Sequence, residues 1–69
     1  AKKRLLVTYP YTLDGVMKSI LKKNHAEVIY EDFGEKIDIQ LDIDIELADS
    51  FIDIVKHLSA GSAQIIMTE

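Results

Sequence analysis

The sequence contains no cysteine, a single proline and no hydrophobic run longer than a few residues. The lack of cysteine excludes disulfide bonds and thiolate metal sites, and it gives no reason to expect an oxidising compartment. The short hydrophobic runs exclude a membrane-spanning helix or a secretory signal within these 69 residues. We therefore expect a soluble, cytoplasmic protein with no membrane partner. A chain this short forms one domain, which we place at residues 4–69. Residues 1–3 are interpreted as a linker remnant, and the domain as the C-terminal part of a longer chain.

The two parts of the sequence differ strongly in charge. Residues 1–25 carry six basic groups and one acid, whereas residues 26–69 carry two basic groups and eleven acids. A basic patch of this kind is typical of a surface for an anionic partner, such as nucleic acid or the ribosome. Alternatively, the two parts neutralise each other across the fold, as in most small soluble domains. The expected contacts of a bound nucleic acid are Lys2, Lys3, Arg4, Lys18, Lys22 and Lys23.

The clearest structural signal lies at residues 36–44. Four apolar residues, Ile37, Ile39, Leu41 and Ile43, alternate there with polar ones. A period of two predicts a strand with one buried and one exposed face, because the same residues on a helix would be spread around its whole circumference. This strand indicates which side of the sheet is the core.

Hydrophobic spacing and turn residues predict the other elements. Thr12 is the predicted N-cap of a first helix, with an apolar stripe of Leu13, Val16, Met17, Ile20 and Leu21. Asp44 is the predicted N-cap of a second helix that ends at Gly61. Its stripe consists of Leu47, Phe51, Ile54, Val55 and Leu58, with Ile52 outside it. Strands are predicted at residues 4–9, 26–33, 36–44 and 63–68.

The order βαββαβ predicts an α+β fold, the ferredoxin-like sandwich. It has a four-stranded antiparallel sheet with two helices on one face, and right-handed crossovers place the first and third strands in the centre. A two-residue turn, Gly34-Glu35, predicts that Tyr30 lies opposite Ile39 and Glu31 opposite Asp38. The open face is then expected to carry Arg4, Leu6, Thr8, Glu27, Ile29, Glu31, Phe33, Asp38, Gln40, Asp42, Gln64, Ile66 and Thr68.

The open face supplies a candidate interface. Its residues are Leu6, Ile29, Phe33, Gln40 and Ile66. They are either scattered apolar surface residues or a surface that docks the upstream domain or a second copy of this chain. The face does not suit RNA, because it is acidic and Phe33 is its single expected outward aromatic.

Three short motifs cover much of the chain. They are Tyr-x-x-x-Gly at residues 11–15, Ala-Glu-Val-Ile…Asp-Phe-Gly at residues 26–34, and Leu-x-x-Gly-x-Ala at residues 58–63. Together they resemble the C-terminal domain of the IMPACT family, the bacterial YigZ-like proteins. In that family this domain follows a larger N-terminal domain, and it is similar to the fifth domain of elongation factor G. The resemblance implies a link to RNA binding or translation control, without a settled biochemical activity. Ser62 counts against RNA binding, since many relatives have lysine or arginine there.

The sequence lacks the spacing of a catalytic or metal site. His25 and His57 have no partners arranged as in a zinc site or a hydrolytic triad, and they are interpreted as residues that favour the helix dipoles. Alternate strand acids such as Asp38 and Asp42 are too far apart for a calcium cage. The serines have no neighbouring base. We therefore expect no enzymatic activity, no cofactor and no metal.

Two functional hypotheses remain. The first is a non-catalytic accessory domain of an IMPACT-like protein, associated with translation or RNA. The alternative is a dimerising, small-molecule-sensing module, as ACT-like domains of this topology are. Salt-dependent RNA binding would favour the first hypothesis, and a dimer whose melting temperature responds to amino acids would favour the second.

Overall fold

The computed structural model describes residues 1–67. Within them lie two helices, α1 (Asp14–Lys23) and α2 (Ile45–Ser59), and a short 3-10 turn (Tyr11–Leu13) that precedes α1. The strands are β1 (Lys2–Tyr9), β2 (Glu27–Phe33), β3 (Ile37–Asp44) and β4 (Gln64–Met67). None of the helices in this part of the chain is both long and apolar enough to cross a membrane.

The strands form one antiparallel sheet in the order β2-β3-β1-β4. The predicted ferredoxin-like fold is therefore confirmed, with β1 and β3 central and β2 and β4 at the edges. β1 begins at Lys2, so Lys2 and Lys3 are not a linker but strand residues, paired with Asp44 and Ile43. The predicted open-face position Thr68 lies outside the described residues.

The core lies between the sheet and the two helices. β3 buries every second residue, as its strict alternation predicts, and β1 does the same from Leu5 onward. The buried strand residues are Leu5, Val7, Tyr9, Ile37, Ile39, Leu41 and Ile43, and the buried apolar helix residues are Met17, Ile20, Leu21, Ala48, Phe51 and Val55. The two edge strands are much more exposed than the central pair.

The helix ends differ in part from the prediction. Thr12 is not a cap: it lies in the 3-10 turn, and α1 begins at Asp14 without a side-chain hydrogen bond at its N-cap. Asp44 does cap α2, because its carboxylate accepts from the backbone N–H of Glu46 at 3.4 Å. α2 ends at Ser59 and is followed by Ala60 in the left-handed conformation, with φ of 52°.

The buried face of α2 is shifted from the predicted stripe. Ile52 packs against the core, whereas Ile54 and Leu58 are exposed. On α1, Val16 is likewise exposed. Two small residues of α2, Ala48 and Ser59, are also buried. The predicted stripe omitted them because it was based on large apolar side chains alone.

β2 contains the main departure from the predicted register. Val28 pairs with Leu41 as expected, but Tyr30 pairs with Gln40, and the irregularity lies between Val28 and Tyr30. Ile29 is therefore the extra residue of a β-bulge. From Tyr30 onward each side chain lies on the opposite face from the one predicted.

Candidate interaction surface

The open face of the sheet is arranged in three rows across the strands. Residues directly opposite each other in an antiparallel sheet point to the same side, so the pairings place each row. The first acidic row consists of Glu27, Asp42 and Arg4; the apolar row of Tyr30, Gln40, Leu6 and Ile66; and the second acidic row of Asp32, Asp38, Thr8 and Gln64. The face thus has an apolar centre between two rows that contain acids.

The apolar row extends from one edge of the sheet to the other. Tyr30 and Ile66, at the two edges, are 58% and 53% exposed. Leu6 and Gln40, on the central strands, are half-buried by their neighbours. No helix covers this row within residues 1–67, because the helix residues of the core pack against the other face. An uncovered line of apolar side chains is a common feature of docking surfaces.

The first acidic row contains the main ion pair of the face. Glu27 and Asp42 lie opposite each other on β2 and β3, and Arg4 lies opposite Asp42 on β1. The guanidinium of Arg4 donates from Nε to Oδ1 of Asp42 at 2.9 Å and from a terminal nitrogen to Oδ2 at 3.2 Å. This two-pronged hydrogen bond lowers the pKa of the Asp42 carboxyl. Arg4 therefore offsets the repulsion between the two acids.

The second acidic row has a neutral donor in place of an arginine. Asp32 and Asp38 face each other on β2 and β3, and the hydroxyl of Thr8 donates to Asp38. Like charges opposite each other destabilise a sheet, so this row depends on solvent or on a partner for screening.

Because of the bulge, the residues of the apolar row differ from those of the predicted interface. Leu6, Gln40 and Ile66 lie together in the apolar row, as expected. Phe33 is not on the open face, because it pairs with Ile37 and shares the helix side of the sheet. Ile29 occupies the bulge and belongs to no row. Sequence reasoning missed Tyr30, which it assigned to the core.

Glu31 also lies on the helix side instead of the open face. It pairs with Ile39, and its Oε2 lies 3.5 Å from Nζ of Lys18 on α1. The same Lys18 nitrogen is 3.8 Å from Oδ1 of Asp14, which accepts a hydrogen bond from the Tyr9 hydroxyl at 2.9 Å. These contacts connect β1, α1 and β2. They also hold β2 against α1 although every β2 residue is exposed.

The six predicted nucleic-acid contacts do not all lie on one face of the sheet. Arg4 is bound to Asp42, and Lys18 lies beside Asp14 and Glu31. Lys2 and Arg4 lie on the open face and Lys3 on the helix side, as their pairings show. Lys22 and Lys23 are exposed in the last turn of α1, and Lys2 is exposed at the start of β1.

A second feature is a shallow depression of about 410 Å³ on the outer side of α2. It is lined by Ser50, Asp53, Ile54, His57 and Leu58. No three histidine, aspartate or glutamate side chains among residues 1–67 are grouped in a way that could hold a metal ion.

Comparison with known proteins supports the fold. Family models give no match, and curated proteins give none either. Among solved structures, the chain is similar to a crystal structure described as that of a hypothetical protein, with a TM-score of 0.88 and 15% sequence identity. The match covers 99% of this chain and 33% of that chain, so this chain spans about a third of the length of its structural neighbour. The shared feature is the ferredoxin-like fold.

Proposed function

We propose that this chain is a non-catalytic interaction domain that binds another protein surface through the open face of its sheet. The observation that carries the proposal is the apolar row, in which Tyr30, Leu6 and Ile66 form a line left uncovered by every described element. Burial of apolar surface is the main driving force of protein association, and a row bordered by acids gives a partner both affinity and orientation.

The partner we propose for this face is the upstream domain of a longer chain or a second copy of the domain. For the first alternative, the structural neighbour provides an example of this fold as about a third of a longer chain. The open face combines one row of apolar residues with two acidic rows, so it is more polar than a protein core. Interfaces between domains of one chain usually have this mixed composition.

In its finer form, the proposal makes the domain an accessory part of a cytoplasmic IMPACT-like protein associated with translation or RNA. Two of the three sequence motifs that carry this resemblance are in contact in the structure. The hydroxyl of Tyr11, from the first motif, donates to the carbonyl of Gly34, from the second, at 2.6 Å. In the third motif the hydroxyl and N–H of Ser62 bond to the carbonyl of Ser59. These residues shape turns, so the motifs support a shared fold more directly than a shared ligand.

If this domain contacts RNA, we propose that it does so through the exposed Lys22 and Lys23 and the start of β1. Both lysines lie in the last turn of α1, shortly before β2. The first residue of β2, Glu27, pairs with Asp42, which also pairs with Arg4, so α1 ends toward the end of the sheet where β1 begins. The open face contributes less, since its acids repel phosphate.

The open-face proposal is tested by two matched substitutions, Ile66→Lys and Ile54→Lys. Both isoleucines are exposed, but Ile66 lies in the apolar row and Ile54 on the outer side of α2. We expect Ile66→Lys to abolish self-association or binding to the upstream domain, measured by sedimentation, and Ile54→Lys to leave it unchanged. Equal behaviour of the two variants would refute the open face as the interface.

Two further titrations separate the finer proposal from the small-molecule alternative. Single-stranded RNA should bind with an affinity that falls steeply with salt, and replacing Lys22 and Lys23 by glutamine should abolish binding while Lys56→Gln should not. An amino-acid-dependent rise in melting temperature, in a domain that does not bind RNA, would instead favour the sensing module.

A further inference from the structure

β2 is an edge strand with an unusually apolar surface. Among the described elements it pairs with β3 alone, so one side of its backbone is not used by the sheet. All seven of its residues are exposed. They include four large apolar side chains: Val28, Ile29, Tyr30 and Phe33. An exposed edge of this kind can accept another strand, which pairs with its free N–H and C=O groups.

The bulge restricts where a strand can be added. It lies at Ile29 and distorts the first half of β2, whereas residues 30–33 pair regularly with β3. In this regular half, Tyr30 and Asp32 point to the open face, and Glu31 and Phe33 point to the helix side. An added strand would therefore meet one aromatic residue and one acid on each face.

The charge of β2 indicates what kind of strand it accepts. Residues 27–35 contain four acids, Glu27, Glu31, Asp32 and Glu35, and no basic residue. Glu31 is already beside Lys18, but no basic residue is paired with Asp32 in the sheet, since its partner is Asp38. A second copy would place another four acids along the same ribbon, where like charges repel. A basic strand is complementary.

The domain itself contains an example of this pairing. Its basic strand β1 lies against its acidic strand β3, with Lys2 opposite Asp44 and Arg4 opposite Asp42. Arg4 reaches across the strands and binds Asp42 through two hydrogen bonds. On the free side of β2, a basic residue opposite Asp32 would make the same kind of contact on the open face, and an adjacent basic residue would face Glu31 on the helix side.

We propose that β2 binds an extended segment of a partner protein in which two adjacent lysine or arginine residues lie between apolar residues. The segment adds as a fifth strand beside residues 30–33, with basic side chains at the acids and apolar side chains at Tyr30 and Phe33. This inference rests on the proposed role as an interaction domain, but it concerns the edge of the sheet and not the apolar row.

The test uses two short synthetic peptides, one in which a pair of lysines lies between valines and the other in which a pair of glutamates lies between valines. We expect the lysine peptide to shift the backbone NMR signals of residues 30–33 and to slow hydrogen exchange of their free amides, with an affinity that decreases as salt is added. The glutamate peptide should not bind. Asp32→Asn should weaken lysine-peptide binding roughly 1.5- to 5-fold, as expected for an exposed ion pair, and Asp53→Asn, on α2, should not.

The outcomes distinguish this inference from the proposed function. Shifts centred on Leu6 and Ile66 in place of residues 30–33 would overturn the inference and leave the open-face proposal standing. Equal binding of both peptides, no binding of the lysine peptide at millimolar concentration, or a dimer that protects the β2 amides would also overturn it. If the lysine peptide binds at β2 while Ile66→Lys changes no association, the edge is supported and the open face is refuted.

Discussion

At the scale of single residues, the domain places a polar group inside its core and gives it one partner. Tyr9 is fully buried, and its hydroxyl donates to Oδ1 of Asp14 at 2.9 Å. Burial raises the pKa of the Tyr9 hydroxyl well above its ordinary value, and the hydrogen bond to Asp14 and the negative charge of that carboxylate raise it further. The side chain therefore joins the core to the polar contacts around α1.

Replacing Tyr9 by phenylalanine should lower the free energy of unfolding by about 0.5–1.5 kcal/mol at neutral pH, because Asp14 loses its donor. The contribution of Tyr9 is fully present below pH 10, the ordinary tyrosine pKa. Above it, the unfolded chain releases the proton while the folded chain keeps it, so stability falls as pH rises. Urea denaturation should show the difference between the two proteins shrinking above pH 10; a constant difference would contradict the burial of this hydroxyl.

Arg4→Gln should raise the pKa of the Asp42 carboxyl. The hydrogen bonds and the charge of Arg4 lower that pKa more than the charge of Lys2 does, so most of the lowering is lost without Arg4. A group with a lowered pKa stabilises the fold above its unfolded value, and this stabilisation is lost as pH falls. Carboxyl NMR titration measures the shift directly, with Lys56→Gln, on α2, as the control. An unchanged Asp42 titration in Arg4→Gln would show that the pair does not form in solution.

Leu41→Ala should largely unfold the domain at physiological temperature. Leu41 is fully buried at the centre of β3, and truncating such a leucine costs about 2–5 kcal/mol, against a total stability of roughly 5 kcal/mol for a small domain. Leu58→Ala is the matched control, because Leu58 is exposed on α2. Thermal melts followed by circular dichroism test this, and an unchanged midpoint in Leu41→Ala would contradict the assignment of the core face.

At the scale of elements, β2 and β3 show how far the sequence predicts the structure. In β3 the alternation has no fault, so its buried and exposed faces are predicted correctly. β2 has three consecutive apolar residues, Val28, Ile29 and Tyr30, which a regular period of two does not allow. That break is the signal of the bulge. The position of the bulge is determined by the pairing of β2 with β3, so the sequence pattern of β2 alone could not place Tyr30 on the open face.

The candidate interface was predicted only in part, because the prediction assumed regular pairing in every strand. Leu6, Gln40 and Ile66 lie on strands with regular pairing, and the structure brings them into one row. Phe33 follows the bulge and lies on the other face. On α2, the exposed Ile54 was expected in the core because large apolar residues were given more weight than the small buried ones.

The end of α2 supplies a prediction about an element boundary. Ala60 has a φ of 52°, a conformation that is unfavourable for a residue with a Cβ atom. Ala60→Gly should raise the free energy of unfolding by up to about 1 kcal/mol, since relief of this strain outweighs the added freedom of the unfolded chain. Ala63→Gly, at a position without a positive φ, should lower it. Chemical denaturation measures both, and a less stable Ala60→Gly protein would contradict the left-handed cap.

At the scale of the whole molecule, the two faces of the sheet have different roles. One face is covered by both helices and contains the core, and the other exposes an apolar row between acidic rows. The basic residues do not gather into one patch that matches this face, because Arg4 and Lys18 are engaged with acids of the same chain. The charge asymmetry of the sequence is therefore partly neutralised within the fold, and the apolar row remains the feature that most favours a partner.

The measurement that tests the open face most directly is the solvent accessibility of the Leu6 and Ile66 methyl groups, followed by NMR with a soluble paramagnetic reagent. We expect strong signal loss for both in the dilute isolated domain. We expect protection of both, together with Tyr30, in the longer protein or in the concentrated domain, while the exposed Ile54 stays accessible in every sample. Equal accessibility of Ile66 and Ile54 under all of these conditions would contradict the claim that this domain binds through the open face of its sheet.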